Sequence, residues 1–433
     1  MRSVLLMVSF TFLLAAGAGA QVIPSDSITV NYVPVLFSLT HLHPEETRSV
    51  GVSVEGLVHS QSVSLPFSFS LLGNDFIDDE LKETTSGKLQ AKNVLEDGYE
   101  ARFYGNWVQR NLLLKEPVMY SVDYSFGGYN SAWFTDELFN TAFYGNAFYA
   151  GETADFSGTR SYNFQYDRIG FSAQKEVKGE RENWQAGLKL SLMSIHSALR
   201  LNMEHATLFT EENGEYLDAT YRFEYAVSDT SNHGAFQIDG IGPVIDVMTS
   251  WSNKSERTRI SVFINNLGMI FWNNKTLTYS ADSSIRYEGI QAVNLLTPDD
   301  SSLFQYNVDS LLKYTGTAVS TGGTSFPPLL SFATAVNYRL SLNLMLQTGI
   351  SYRPYPDLLP LIYVKPMWKV GRGVEAGAIA SYGGASRYGL GFDLRAKVFE
   401  HIFMEAASEN ILGVFIPKQT TSASLFLRAS YQF

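Results

Sequence analysis

The chain has 433 residues, a net charge of −11 and no cysteine. The absence of cysteine excludes disulfides, a thiolate nucleophile, cysteine metal ligands and a lipid-modified N-terminal cysteine. The negative charge argues against non-specific binding of nucleic acid, whose phosphates an acidic surface repels. Aromatic residues make up 14% of the chain, a richness that suits the aromatic girdles of membrane proteins at the two water interfaces.

The first twenty residues predict a secretory signal peptide. Met1-Arg2 gives a basic start, Val4–Ala16 is almost entirely apolar, and Ala18-Gly19-Ala20 places small residues at the cleavage positions. The alternative is an N-terminal membrane helix, which the shortness of the apolar run disfavours. We therefore expect residues 1–20 to be removed and residues 21–433 to form one outer-membrane barrel domain.

After the signal peptide, no stretch approaches the roughly 18 consecutive apolar residues that a membrane helix needs. Many segments instead alternate apolar and polar residues, which is typical of strands with one apolar and one polar face. In chain order they are Leu65–Leu71, Val118–Phe126, Trp184–Leu192, Leu217–Tyr225, Ile260–Ile264, Ser341–Tyr352 and Tyr388–Phe399.

Several inserts break the two-residue period. Residues 77–89 read as a short helix or loop, Phe134–Asn140 as the start of a helix capped by Thr135, and Asp299–Tyr314 as an irregular helix. In a barrel such inserts are external loops, periplasmic turns or inward-folded plugs, and their spacing alone does not decide between these. Allowing for them, we predict an all-β transmembrane antiparallel barrel of about 14 strands, within a range of about 12 to 16.

The strand Tyr388–Phe399 shows the two faces most clearly. Asp393, Arg395 and Lys397 lie on one face, and apolar residues on the other, which fits a wet lumen and a lipid-facing surface. Gly389 and Gly391 share the polar face. They either allow the strand to curve or leave room for an inserted loop.

The last ten residues repeat this pattern and end on an aromatic residue. Every odd position from Leu425 to Phe433 is apolar, and a strand of this length suits one stave of an outer-membrane barrel. The strand resembles the C-terminal signal that the outer-membrane assembly machinery recognises, with Phe433 as its last residue. A soluble β-sandwich would also alternate, but the pattern persists along the chain without a linker, and soluble chains of this size usually divide into domains.

Four short motifs resemble an uncharacterised family of outer-membrane barrels found in Bacteroidota. Phe143–Gly151 resembles the glycine-asparagine element of that family, and Asn265–Trp272 resembles its "DLG-I-W" element, with Asn266 in place of Asp. Tyr287–Ile290 fits the "F-x-G" position that follows this element. Ser408–Gly413 resembles the penultimate turn of the family, with Glu409 in place of Asp. The resemblance implies a fold related to long-chain fatty-acid transporter barrels, and no settled substrate. We interpret Asn266 and Glu409 as turn-forming residues rather than metal ligands.

No catalytic, cofactor-binding or metal-binding residue is predicted. His41 and His43 would share a side of an extended segment but have no further ligands nearby in sequence. Ser194 and His196 would share a strand face, yet no nucleophile-elbow motif is present. The tryptophans that flank strands are interpreted as interfacial anchors, with ligand stacking as the alternative; they are Trp184, Trp251, Trp272 and Trp368.

Three functions remain open on the sequence. The leading hypothesis is a non-enzymatic passive channel or transporter for a small molecule, with hydrophobic molecules among the candidates. The second is an outer-membrane scaffold that docks a secretion or surface-assembly partner through its acidic loops. The third is a secreted soluble β-protein that binds glycans. The predicted contacts are outer-membrane lipid and the assembly machinery, with an unidentified protein partner in the scaffold hypothesis and no nucleic acid.

Overall fold

A computed structural model describes residues 48–110, 117–229, 231, 237–288, 312–354, 359–371 and 373–433. The predicted signal peptide, His41, His43 and most of the predicted helix Asp299–Tyr314 lie outside the described residues. No helix in the described ranges is long and apolar enough to cross a membrane.

The described chain contains twenty strands, numbered in chain order. They are β1 (Arg48–Ser60), β2 (Asn93–Arg110), β3 (Pro117–Phe134), β4 (Thr153–Asp155), β5 (Arg160–Lys178), β6 (Glu182–Thr210), β7 (Leu217–Val227), β8 (Gly240–Asn253), β9 (Thr258–Gly268), β10 (Ile270–Trp272), β11 (Leu277–Tyr287), β12 (Ala318–Thr321), β13 (Ser325–Phe326), β14 (Ser331–Arg339), β15 (Leu344–Tyr352), β16 (Leu361–Gly371), β17 (Val374–Gly383), β18 (Arg387–Phe399), β19 (Ile402–Ser408) and β20 (Ser422–Gln432).

Fourteen of these strands close into an antiparallel barrel, which confirms the predicted fold class and strand number. Their order around the wall is β1-β2-β3-β5-β6-β8-β9-β14-β15-β16-β17-β18-β19-β20. The closing pair joins β1 to β20, from Ser49 opposite Gln432 to His59 opposite Ser422. Closure leaves no unpaired edge in the wall, the condition for a sheet to cross a bilayer.

The apolar rows of the strands face outward, as the alternation predicts. In β20, Arg428 and Phe426 are buried in the interior at 3% exposure each, whereas Tyr431 on the opposite face is 44% exposed. In β18, Asp393 is fully buried while Leu390 is 49% exposed. A water-soluble sandwich would bury its apolar rows between two sheets, so the soluble alternative is wrong. A barrel with an apolar outer surface is the architecture of outer-membrane proteins.

The two ends of the barrel differ in the length of their connections. The end that carries Arg48 and Phe433 has short turns, such as residues 179–181, 254–257 and 340–343, while the other end carries links such as residues 61–92, 135–159 and 409–421. Outer-membrane barrels have short periplasmic turns and long extracellular loops. The end with the long links is therefore the extracellular end.

One side of the wall continues past the barrel. The first half of β6 pairs with β8, and its second half pairs with β7. β11 then pairs with β7, and β12 with β11, while β4 pairs with the other edge of β6. We call this open sheet, made of β4, residues 199–210 of β6, β7, β11 and β12, the tall wall.

The extracellular links contain helices α1 (Leu65–Gly73), α2 (Asp79–Ser86), α3 (Asp136–Tyr144) and α4 (Leu412–Phe415). The predictions for residues 77–89 and for Phe134–Asn140 are confirmed by α2 and α3. Thr135 caps α3 as expected, since its hydroxyl accepts a hydrogen bond from the Leu138 amide at 3.1 Å.

The strand predicted over Leu65–Leu71 is wrong, because these residues form α1. Pro66 lies in the first turn of the helix, where its missing N–H costs nothing. The ring of Phe67 packs 5.2 Å from the rings of both Phe139 and Phe143 on α3. Tertiary contacts between aromatic rings thus override a short two-residue alternation of serine and apolar residues.

Candidate functional site in the barrel lumen

The lumen is divided into layers, and its periplasmic part is lined by small polar side chains. Ser172, Gln174, Asn183 and Gln347 point inward and are nearly fully buried. Gln174 Oε1, Asn183 Oδ1 and Gln347 Oε1 have no hydrogen-bond partner within the described protein. Buried polar atoms need partners, so we expect lumenal water to solvate this layer.

The middle of the lumen is closed by buried ion pairs, which we call the ionic layer: Arg102, Asp123, Arg168, Lys189, Asp246, Lys365, Asp393, Arg395, Glu405 and Arg428. On one side, Asp123 on β3 accepts from Lys189 at 2.6 Å and from Arg102 at 3.2 Å. Beside it, Arg168 on β5 contacts Asp246 on β8 at 2.8 Å. These contacts join five strands of the wall, β2, β3, β5, β6 and β8, across the lumen surface.

The other half of the ionic layer lies on β16, β18, β19 and β20. Asp393 accepts from Lys365 at 2.7 Å and from Arg395 at 2.8 Å. Glu405 lies between two guanidinium groups, with its Oε1 3.0 Å from Arg395 Nε and its Oε2 2.9 Å from Arg428 Nη2. The side chains of these five residues are at most 2% exposed.

Burying so many charges is not the most stable way to fill a barrel. Well-packed apolar side chains in place of a buried ion pair are often neutral or stabilising, because desolvation offsets the attraction. Ionisable groups at membrane depth are rare and generally mark a transport path or a coupled movement. The ionic layer is therefore the first candidate for function.

Above the ionic layer, the lumen becomes aromatic and apolar. The inward face of β5 shows the change within one strand: Ser172 and Arg168 are followed by Tyr166, Phe164 and Tyr162, all buried. Further members of this aromatic layer come from other strands and from the segment before β14; they are Tyr129, Met193, Ile195, Val244, Ile270, Trp272, Phe326 and Leu329. The ring of Phe326 lies 5.2 Å from Tyr162 and 5.3 Å from Trp272.

An ion pair crosses the extracellular mouth. Arg353 follows β15, and Glu96 is on β2, so the two residues stand on opposite sides of the fourteen-strand wall. Arg353 Nη2 donates to Glu96 Oε2 at 2.9 Å, its Nη1 donates to Oε1, and the Tyr129 hydroxyl donates to the same carboxylate. Both side chains are buried. We call this contact the mouth latch.

The glycine pair of β18 meets an inward step of the next connection. A Cβ at Gly391 would lie 1.8 Å from the carbonyl oxygen of Ser408, and one at Gly389 would lie 2.8 Å from that of Glu409. The backbone after β19 therefore steps over these glycines on their lumenal side, which agrees with the inserted-loop interpretation. The Ile411 amide then donates to the Leu390 carbonyl at 2.9 Å, and this bond returns the chain to the wall.

Asn266 lies in a bulge of strand β9 rather than in the predicted turn, and beside Glu409, the other predicted turn-forming residue, it is Asn410 whose side chain makes a turn contact. Asn266 has a φ of 58°, the left-handed region that asparagine tolerates, at a register shift between β8 and β9. Its side chain also accepts from Arg168 at 2.8 Å, which joins it to the ionic layer. Asn410 Oδ1 accepts a hydrogen bond from the Leu412 amide at 3.2 Å.

Within the described residues, no group of histidine and acidic side chains is arranged to hold a metal.

Ser194 and His196 lie near the outer face, away from the lumen. His196 Nε2 is 2.8 Å from Asp167 Oδ2, and its Nδ1 faces the carbonyl oxygen of Gln237. Both ring nitrogens therefore contact acceptors, and neither is directed to take a proton from Ser194. This geometry does not form the serine–histidine couple that a hydrolase requires.

The tryptophans divide into two groups. Trp184 and Trp251 stand opposite each other near the periplasmic turns, and their indole nitrogens donate to Glu182 at 3.0 and 2.6 Å. Trp368 is 44% exposed on the outer face. These positions fit interfacial anchors. The same interpretation is wrong for Trp272, which is 4% exposed inside the aromatic layer.

The sequence signalled some of these residues and missed others. Asp393 and Arg395 were recognisable because they alternate with apolar residues along β18. Arg353 belongs to a loop and Glu96 to a strand without a clear two-residue period. No local pattern could pair them, since 257 positions separate them in the chain.

Comparison with curated protein sequences finds no match. Among solved structures, the chain is similar to the P. putida toluene transporter TodX, with a TM-score of 0.41 and 9% identity over 89% of each chain. It is also similar to a Pseudomonas aeruginosa FadL homologue, with a TM-score of 0.44 and 9% identity over 90% of this chain and 91% of that one. The model of the family of unknown function DUF5723 matches residues 49–405, and the chain therefore belongs to that family.

Proposed function

We propose that this barrel is a gated passive transporter of the outer membrane, which lets a small molecule pass without a redox or phosphoryl step. The observation that carries the proposal is the layered lumen, which is closed by side chains and by inward loop segments rather than by the wall itself. Arg353 and Glu409 come from connections between strands, and Phe326 comes from the short strand β13, which is not one of the fourteen strands of the wall. Such segments can move while the strand ladder stays intact.

The aromatic layer supports a cargo with apolar surface. A solute that enters from the extracellular end meets Tyr162, Phe164 and Phe326 before it meets the ionic layer. Ligand sites are usually lined by aromatic and apolar groups with a few polar groups that orient the ligand. The hydroxyl of Tyr166, which donates to Glu100, and that of Tyr129 are polar groups of this kind.

The same proposal includes the route to the membrane. Residues 1–20 would direct export and be cleaved, and β20 would be the strand read by the outer-membrane assembly machinery. Its last aromatic side chains, Tyr431 and Phe433, are 44% and 71% exposed, which supports their availability for recognition. Outer-membrane lipid would cover the apolar outer rows.

The mouth latch gives the sharpest test of gating. Arg353→Glu places two carboxylates together at the mouth, and Glu96→Arg places two guanidinium groups there. In each single variant the like charges repel, so each should favour an open mouth. The double variant Glu96→Arg with Arg353→Glu should restore closure. Because each ~1.4 kcal/mol lost from the closed state raises the open population about tenfold, the single variants should show at least that increase. The measurement is conductance in planar bilayers and uptake of small aromatic dyes into liposomes.

Lys82→Glu is the matched control, since Lys82 pairs with Asp79 on the surface of α2, where the Asp79 side chain is 87% exposed. It reverses one charge without touching the lumen and should behave like the wild type. Proteoliposomes that pass neither ions nor dyes with either single variant would contradict the transport proposal, provided that the barrel migrates as folded on unheated gels.

A second candidate is the scaffold function, which the tall wall favours. Its outer face carries aromatic rings above the barrel, with ring centres 5.8 Å apart for Tyr225 and Tyr279 and 5.9 Å apart for Tyr221 and Phe223. Aromatic residues are enriched at protein interfaces. Gentle co-purification from native membranes should then recover a stoichiometric partner, and Phe223→Asp should release it. A barrel that purifies alone from lightly crosslinked membranes would contradict this candidate.

A further inference from the structure

Four arginines lie in one row of directly paired inward residues of the lumen. Across seven neighbouring strands, from β18 through β19, β20, β1, β2 and β3 to β5, the directly paired inward residues are Arg395, Glu405, Arg428, Ser53, Arg102, Ser125 and Arg168. We call this row the arginine rung. It follows half of the fourteen-strand circumference and, because the strands of a barrel tilt, it climbs along the passage toward the extracellular end from β18 to β5.

The inward residues on either side of the rung include both charged and uncharged groups. The next level toward the extracellular end carries Glu55 opposite Glu100. The next inward residues toward the periplasm are uncharged on β1, β20 and β2, where they are Gly51, Ser430 and Tyr104, but charged on β18 and β3, where they are Lys397 and Asp123. A solute that follows the lumen therefore meets the cations of the rung together with buried acids, so the charge balance differs from one arginine to the next.

Arg428 is the member of the rung whose charge is least compensated. It is 3% exposed, and its single carboxylate contact, Glu405, is shared with Arg395. Its Nε and Nη1 have no hydrogen-bond partner within the described protein. The guanidinium lies against the ring of Phe403 at 5.1 Å, a contact that holds it in place without using its N–H donors.

The carboxylates nearby do not remove this imbalance. Lys365, Arg395 and Arg428 share two fully buried acids, Asp393 and Glu405. A third acid, Glu375, is 3.9 Å from Arg395 and is itself 17% exposed. Arginine presents five N–H donors in a planar fork that matches carboxylate and phosphate oxygens. A buried guanidinium group with unused N–H donors can bind an anion, which accepts hydrogen bonds from them.

We infer that Arg428 is an anion-binding site in the lumen, and that it selects for solutes carrying a carboxylate, phosphate or similar negative group. Rings of arginine and lysine provide anion selectivity in other pores. The selectivity part of this inference rests on the proposed transport function, whereas the binding part does not, so the two are tested separately.

Binding is tested with bromide, which needs no conduction. Crystals of the full barrel soaked in sodium bromide should show an anomalous peak within hydrogen-bond distance of Arg428 Nε or Nη1. The peak should disappear in Arg428→Gln and remain in Arg428→Lys, which keeps the charge. Arg222→Gln, on the tall wall, is the control and should keep the peak. A wild-type barrel without bromide at Arg428 overturns the inference.

Selectivity is tested in the latch variant Arg353→Glu, in planar bilayers with a potassium chloride gradient. The reversal potential should indicate chloride permeability above that of potassium, and adding Arg428→Gln should move it toward equal permeability. A cation-selective or non-selective pore overturns the selectivity part. Bromide bound at Arg428 in a barrel that never conducts would uphold the anion site and overturn the transport proposal instead.

Discussion

Two regions of this molecule pair arginine or lysine with a carboxylate on another strand, with opposite consequences. In the lumen, Lys365 and Asp393 are 2.7 Å apart and neither side chain is exposed. On the tall wall, Arg222 and Asp282 are also 2.7 Å apart, but their side chains are 54% and 68% exposed. The distance is the same, yet only the buried pair lacks water as an alternative partner. Burial, rather than contact geometry, decides which pairs the fold depends on.

The largest effect is expected from breaking the buried set. Asp393→Asn removes the carboxylate that both Lys365 and Arg395 use, and it leaves two buried cations with less compensation. Removing one partner of a buried pair typically destabilises a protein by about 3–5 kcal/mol. The measurement is the free energy of barrel unfolding in denaturant, with Asp282→Asn on the tall wall as the control. Equal losses in the two variants would show that burial is not the deciding factor.

A smaller effect is expected where backbone rather than charge fills the lumen. Gly391→Ala places a methyl group against the Ser408 carbonyl, so the inward step after β19 must move. Overpacking of this kind costs about 1–3 kcal/mol. Gly371→Ala is the matched control on β16, since no atom lies within 4 Å of its added Cβ. Denaturant midpoints of the two variants provide the comparison, and a stable Gly391→Ala barrel would contradict the close approach.

The smallest effect is expected on the tall wall. The pKa of Asp218 is lower than its ordinary value because Arg286 donates hydrogen bonds to it. A carboxyl group whose pKa is lower in the folded state stabilises the fold when the pH is above its ordinary pKa. This stabilisation is lost as the pH falls through the pKa of the folded state. Because both groups are solvated, Arg286→Gln should raise the pKa of Asp218 in an NMR titration and leave the thermal midpoint unchanged. A clear fall in the thermal midpoint of Arg286→Gln would show that the fold depends on the pair of Arg286 and Asp218 despite its exposure.

Only some features of the lumen can be predicted from the amino-acid sequence. Asp393, Arg395 and Arg428 alternate with apolar residues, so their inward direction followed from the two-residue period. Their ion-pair partners did not follow, because register between strands depends on the whole wall. For Trp272 the sequence predicted the wrong location. Its position beside a strand suggested an anchor at the membrane–water interface, whereas the short strand β10 places it inside the aromatic layer of the lumen.

The chain by itself determined the barrel, the direction of each alternating strand and the cap of α3, because these depend on residues two to four positions apart. It did not determine that Leu65–Leu71 is helical, that Arg353 reaches Glu96 across the mouth or that Arg428 is buried beside a shared carboxylate. The helix depends on its ring contacts with α3, and the other two features depend on closure of the wall, which brings residues that are distant in the chain together in a confined space. Closure also removes water from the ionic layer, and the loss of water gives the charges there their importance.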